Sequence, residues 1–205
     1  MTTEITTGVR ASEPGTLDFA PSLHMRAFLL ERERGNLLIY GSPAVTFGDV
    51  SRVYLSHWHE VAVGDPPPDA PLFVHAADRD EAARHVRVRA AFSERHMLDD
   101  DFEAIPIPGH TPGSTAYLWD DGEHRHLFTG DSIYLVDGEW VAAVLPSSDR
   151  ERYLESLELI RGLEFDVLVP WIATVDRPHM AATDAADTRR RIDAIIRRVR
   201  QGADR

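Results

Sequence analysis

The chain has 205 residues with 34 acidic and 22 basic side chains, a formal charge of −12, ten histidines and no cysteine. Every basic residue is arginine, so a Schiff-base lysine, a lysine general base and a P-loop lysine are excluded, along with disulfides, thiolate nucleophiles and cysteine-held metals. The acidic excess argues against a nucleic-acid partner, because phosphate-backbone binding draws on Lys and Arg, and any metal has to sit on His, Asp or Glu.

At this length a single domain, 1–205, is expected to bury a core unaided. No stretch approaches the roughly 20 apolar residues of a membrane span, and the first residues lack a cationic start followed by an apolar run. The expectation is therefore a soluble, cytoplasmic protein. Residues 1–23, rich in Thr, Ser, Pro and Gly, read as a poorly patterned lead-in, with order beginning near His24.

Two apolar segments, 27–31 and 36–40, flank a charged turn ending in Gly35 and predict an antiparallel hairpin. A third strand, 52–56, runs into His57, Trp58, His59 and Glu60. After the stiff Pro66-Pro-Pro68 segment, 72–75 has the length of a buried strand, and the acidic start at Asp78 followed by helix formers predicts a helix over about 78–90. Strands are predicted at 104–107, 115–119 and 125–129, the last two joined by a turn through Gly122, with a short one at 140–144. Ser148 and Glu151 fit a capping box ahead of Tyr153, Leu154, Leu157 and Ile160 at helical spacing, and Gly162 is a natural stop. A buried strand at 166–170 precedes a last amphipathic helix over 183–200, with Ile192, Ile195, Ile196 and Val199 on one stripe. Seven arginines between 189 and 205 read as the solvated face of that helix, which complements its C-terminal dipole. Strands and helices do not alternate strictly, so mixed sheets covered by helices fit better than a doubly wound parallel sheet.

His57 and His59, two apart at a strand end, leave one face of an extended chain and can meet on one metal ion. His124 and His126 have the same spacing inside a charged hairpin, where exposed side chains are expected. The first pair has company. His110 lies in Pro108-Gly-His-Thr-Pro-Gly-Ser114, a rigid loop between strands, and Asp131 follows Gly130 at another strand end. Three imidazoles and a carboxylate form a mononuclear site for a borderline metal such as zinc, with iron or manganese as alternatives.

The segments Ser56-His-Trp-His59, Gly109-His-Thr-Pro-Gly113, Thr129-Gly-Asp131 and Leu168-Val-Pro170, in this order, resemble the metallo-β-lactamase superfamily over nearly the whole chain. The resemblance implies a four-layer αββα sandwich of two mixed sheets with a metal site at one edge. It also implies that His57, His59 and His110 hold a first metal and that Asp131 is the carboxylate which bridges two metals in the family. The family pattern His-x-His-x-Asp-His departs here to Val61 and Ala62, and Ile172 stands where the last histidine usually follows the terminal strand. A second site would thus be lined by a valine, an alanine and an isoleucine, so one metal is expected. Glu60 and Asp65 are close enough in sequence to be considered as substitutes, although Glu60 is expected to point away from the face of His59.

Three readings follow. The first is a hydrolase using a single metal with its water on a small ester, thioester, lactone or similar substrate, with Asp131 orienting that water or taking its proton. The second is a non-catalytic module of the same fold with a degenerate site. The third is a mononuclear iron dioxygenase, since His57, His110 and Asp131 alone make a two-histidine, one-carboxylate set, as persulfide dioxygenases of the superfamily resemble. His24, His75, His85, His96 and His179 are expected to be surface or satisfied interior residues, with His179 able to reach the pocket only by a loop movement. Trp58 and Trp171 flank the site, as core or as walls of a substrate pocket.

Overall fold

The computed structural model describes residues 3–6, 8–43, 45–64, 66–67 and 69–204. The N-terminal half contributes strands β1 (Thr3–Thr6), β2 (Val9–Ala11), β3 (Gly15–Thr16), β4 (Leu23–Met25), β5 (Phe28–Leu30), β6 (Leu37–Ile39) and β7 (Arg52–Tyr54). Helix α1 (His59–Val63), β8 (Leu72–His75), a 3-10 turn (Ala76–Asp78), α2 (Arg79–Ala82), β9 (Val88–Phe92), β10 (His96–Asp99) and β11 (Phe102–Pro106) follow. Then come β12 (Thr115–Asp120), β13 (Arg125–Gly130), β14 (Tyr134–Val136), β15 (Glu139–Val141) and α3 (Arg150–Arg161). The chain closes with β16 (Val167–Pro170), β17 (Ile172–Thr174), β18 (Ala181–Ala182) and α4 (Ala185–Arg200).

Three hydrogen-bonded sheets result. One has the order β1-β2-β5-β6-β7-β8-β9, a second β10-β11-β12-β13-β16-β18 and a third β15-β14-β17-β4-β3. All are mixed: β6, β7, β8 and β9 pair in parallel, as do β13 with β16 and β14 with β17, while the remaining neighbours are antiparallel. The two sheets expected from the sequence are thus three, because the chain steps from the second to the third at one residue, Trp171, between β16 and β17.

The period of two along the strands sorts side chains into layers. Phe28, Leu30, Leu37 and Ile39 meet Tyr117, Trp119, Phe128 and Val169 in a core between the sheets. The alternate residues Leu29, Leu38 and Val53 face outward, into a layer with Val61 of α1 and Ala82 of α2. On the far side Leu118, Leu127 and Leu168 pack under Leu157 and Ile160 of α3 and Ile192, Ile195 and Ile196 of α4. Helix, sheet, sheet, helix is the resulting layering. No helix among the described residues is long and apolar enough to cross a membrane.

The predicted hairpins form, with Leu29 opposite Leu38 and Leu118 opposite Leu127. Other expectations are corrected. The helix read over 78–90 stops at Ala82, and Val88–Phe92 joins the first sheet in parallel with β8, where pairing outweighs the helix propensity of its two alanines and one arginine. The supposed lead-in carries three short strands, with β2 paired to β5 and β3 to β4. The cap of α3 is Asp149, whose side chain accepts from the Arg152 amide, one residue later than the Ser148 reading. Arg189, Arg190, Arg197 and Arg200 of α4 do face outward, the last pairing with Glu158 at 3.4 Å, whereas Arg191 and Arg198 are partly buried against Trp140.

His24 and His179 form a buried stacked pair beside the core. The Trp171 carbonyl can only accept, so His179 donates through Nε2 at 2.9 Å, and its Nδ1 receives His24 Nε2 at 3.1 Å. This chain fixes His179 as neutral, since its Nδ1 must accept, and ties it to the Trp171 carbonyl instead of the pocket. Burial depresses His179 to about 3, and His24 is lowered by burial as well. A folded-state value below the unfolded one means that the unfolded chain binds more protons in acid, so stability falls as pH drops below about 6.5. At pH 5 His179 alone is expected to remove about 2 kcal/mol. Urea unfolding of wild type and His179→Gln at pH 7.5 and pH 5 checks this: the variant is expected to start less stable and lose less on acidification, whereas equal losses would dismiss the pair as the cause.

Candidate metal centre

The four predicted donors meet. His57 follows β7, His59 opens α1, His110 lies in the loop between β11 and β12, and Asp131 follows β13. One ligand atom from each lies within 4.8 Å of all the others, the one such group of donors among the described residues. Asp131 Oδ2 stands 3.5 Å from His57 Nε2 and 3.6 Å from His110 Nε2, and His59 Nδ1 is 3.1 Å from His110 Nε2. Ligands placed tetrahedrally at the usual zinc distances are separated by about 3.4 Å. The three imidazole planes are nearly perpendicular in pairs, at 81°, 86° and 89°, with centroids 4.9 to 5.0 Å apart. They present edges to a common point instead of stacking.

The route to this geometry differs from the strand face expected for His57 and His59. Strand β7 ends at Tyr54, and the chain turns into α1 at His59, so the two rings converge through a bend. The same bend swings Glu60 back beneath His57. Glu60 is fully buried and accepts from the Ser56 amide at 2.9 Å, the Ser56 hydroxyl at 2.5 Å, the Gly41 amide at 3.0 Å and His57 Nδ1 at 3.1 Å. It therefore cannot be a substitute metal ligand. With its proton on Nδ1 given to Glu60, His57 turns Nε2 to the centre. His110 is oriented likewise, donating Nδ1 to the Ala143 carbonyl at 2.7 Å. Asp65 lies outside the described residues.

Three further residues whose role sequence reasoning missed, Asp78, Asp149 and Ser156, hold the loops. Asp78 is buried and accepts from the Gly113 amide at 2.7 Å, the Thr111 hydroxyl at 2.7 Å and the Trp58 amide at 3.1 Å. It ties the His110 loop to the His57–His59 segment. On the other side α3 carries the loop: the Asp149 amide bonds the Gly109 carbonyl at 2.9 Å and Ser156 bonds the Pro108 carbonyl at 2.7 Å. Gly109 and Gly130 have φ of +144° and +57°, and a Cβ on either would strike Tyr153 Cα at 2.4 Å or Ser56 Oγ at 1.9 Å. That close approach of Gly130 to Ser56 brings Asp131 against His57.

The charges explain what the site is built to hold. Burial works against a charged His57, yet the hydrogen bonds and charges of Asp131 and Glu60 push it up to about 10. Burial, with the neighbouring charge of His57, pushes His59 down to about 3 and lowers His110. Asp131 is lowered despite burial, by His57 first. Without a metal, one proton on His57 offsets two enclosed carboxylates. His57 Nε2 and Asp131 Oδ1 are buried with no hydrogen-bond partner, and such orphaned atoms facing one point fit a dication that takes the proton's place.

Of the other positions, Ala62 and Ile172 line the cavity in front of the donors, whereas Val61 packs in the outer core with Leu55, Leu72 and Val74 and does not line it. Trp58 and Trp171 both border the cavity; Trp171 is buried and donates its indole N–H to the Gly41 carbonyl at 2.7 Å. His126, expected on the surface, is buried with its ring 5.3 Å from that of Trp119, while His124 remains exposed. Because Glu60 fixes the Nδ1 proton of His57, Glu60→Gln is expected to weaken zinc affinity about 10- to 100-fold. Competition against a chromophoric chelator measures this, and unchanged affinity in a folded variant would remove Glu60 from the metal's support.

Comparison with known proteins agrees with this geometry. Residues 51–170 match the family described as the metallo-beta-lactamase superfamily. A hydroxyacylglutathione hydrolase of Xanthomonas axonopodis pv. citri (strain 306) is 30% identical over 127 residues, 58% of this chain and 45% of that protein, so the match spans less than half of the relative. An archaeal metallo-beta-lactamase superfamily protein from Sulfolobus tokodaii has the same fold with a TM-score of 0.61 at 17% identity, over 95% of this chain and 98% of that one. A metallo-beta-lactamase family protein from Thermus thermophilus gives 0.68 at 15% identity, over 97% and 81%. With the family match covering more than half of its length, the chain belongs to the metallo-beta-lactamase superfamily.

Proposed function

We propose that this chain is a hydrolase that uses one divalent metal, zinc, to split a small ester, thioester or lactone. The observation that carries the reading is the convergence of His57, His59, His110 and Asp131 at the floor of an open cavity. The likeness to a hydroxyacylglutathione hydrolase supports a thioester or a related acyl bond. A bound zinc ion acidifies water and polarises a carbonyl there.

The chain's own residues do the rest. Glu60 and the Ala143 carbonyl hold the two imidazoles that face the centre, which keeps reorganisation small when the acyl group arrives. Asp131 keeps Oδ1 without a hydrogen-bond partner at the cavity floor, where it can hold a water and accept its proton as the acyl carbon is attacked. Ala62 and Ile172 offer no donor atom, so a second dication would meet an apolar wall and a single carboxylate; this supports a count of one. All four donors stand together, with His59 beside the three that an iron oxygenase needs, which favours the hydrolase over that reading.

Elemental analysis of wild type and His110→Ala tests the proposal. About one equivalent of zinc is expected, and it is expected to be lost in the variant. Two firmly held equivalents would overturn the single-metal assignment, iron would favour the oxygenase, and no metal under replete conditions would leave a non-catalytic module. For Asp131→Asn, kcat on an S-acyl thioester is expected to fall by about 100-fold or more; a variant that retained full turnover would remove Asp131 from proton handling.

A further inference from the structure

The cavity in front of the donors has a wall that bond hydrolysis alone does not require. Its volume is about 540 Å³, and away from the histidines it is lined by Leu17, Leu23, Ala62, Val144, Leu145 and Ile172. Phe19, 82% exposed, stands at its rim beside the half-exposed Val63. The charged groups that border it are both acidic: Asp131 at the floor and Asp204, which is paired with Arg150 at 2.8 Å. Among the described residues no arginine lines the cavity, and the chain has no lysine.

A carboxylate seated on this wall would leave water for aliphatic side chains and meet Asp204, whose cationic partner Arg150 is already paired, which is unfavourable on both counts. A hydroxyl on the acyl chain would find no hydrogen bond on these six aliphatic side chains, the polar side-chain groups elsewhere in the lining being those of the tryptophans, Tyr134, the histidines and the two aspartates. An exposed phenyl ring at the rim and six aliphatic residues behind it instead remove methylenes from water. Ala62 and Ile172 carry this apolar surface up to the donors, so the chain of a bound acyl group starts on it directly. We propose that the acyl part of the substrate is an uncharged, unsubstituted aliphatic chain of medium length. The inference rests on the hydrolase reading for its chemistry and on the wall for its specificity. It separates this chain from a hydroxyacyl substrate such as its curated relative is named for.

The probes are butanamide, hexanamide and octanamide, with suberamic acid, which is octanamide bearing a terminal carboxylate. Binding is followed by the fluorescence of Trp58 and Trp171, which border the cavity, and turnover by the matching 4-nitrophenyl esters with zinc-loaded protein. Affinity and kcat/KM are expected to rise about two- to fourfold for each added methylene, and suberamic acid to bind at least 10-fold more weakly than octanamide. Val63→Arg is expected to close most of that gap by adding a cation at the rim. A flat chain-length profile, or tighter binding of the acid than of the amide to wild type, overturns the proposal. Hydrolysis with a flat profile would leave the hydrolase reading standing without the acyl wall. Graded amide binding with no ester turnover would do the reverse.

Discussion

Two carboxylates are enclosed on opposite sides of one imidazole, and this constraint organises the site. Glu60 and Asp131 cannot be kept from water unless positive charge and hydrogen-bond donors are supplied to them. His57 supplies the charge as a proton when the site has no metal. The donors come from backbone brought close by shape: the Gly41 and Ser56 amides reach Glu60, and Gly130 lets β13 approach Ser56 to within contact. A dication at the same point satisfies the same anions, so metal binding completes the electrostatics of the fold instead of disturbing it.

The surrounding architecture serves that point by converging loops from different layers. The first sheet delivers His57 and His59, the second delivers His110 and Asp131, and Asp78 binds the two deliveries together. Helix α3 closes the other side of the His110 loop, and its Tyr153 hydroxyl donates to the Ser132 carbonyl at 2.7 Å, next to Asp131. Four donors from three segments therefore share supports, and their spacing is fixed by hydrogen bonds that do not involve the metal.

Much of this was legible in the sequence. Glycine and proline around His110, and glycine before Asp131, mark rigid strand ends whose side chains are free to ligate. The alternating apolar pattern of 27–40 and 115–129 foretold the hairpins because each strand has one face on the inner core and one on an outer one. Less was legible where tertiary contacts overrule local preference. Val88–Phe92 has two alanines and an arginine, as a helix would, but finds a parallel partner in β8. Glu60 reads as turned away from the face of His59, and it does stay out of the donor group, but nothing local foretells that the turn into α1 seats it against His57 Nδ1. His126 sits in a charged hairpin, yet the hairpin packs it on Trp119. Asp78 carries no local signal at all, since its three partners lie 20 to 35 residues away.

The burial of Val61 limits what this position can become. The residue shares an outer core with Leu55, Leu72 and Val74. An acidic side chain here would place a charge among hydrocarbon, and the protein would lose stability without gaining a ligand, because position 61 does not border the cavity. Position 61 is therefore held by packing whatever the cavity does, whereas Ala62 and Ile172, which line it, can vary with what the cavity takes in.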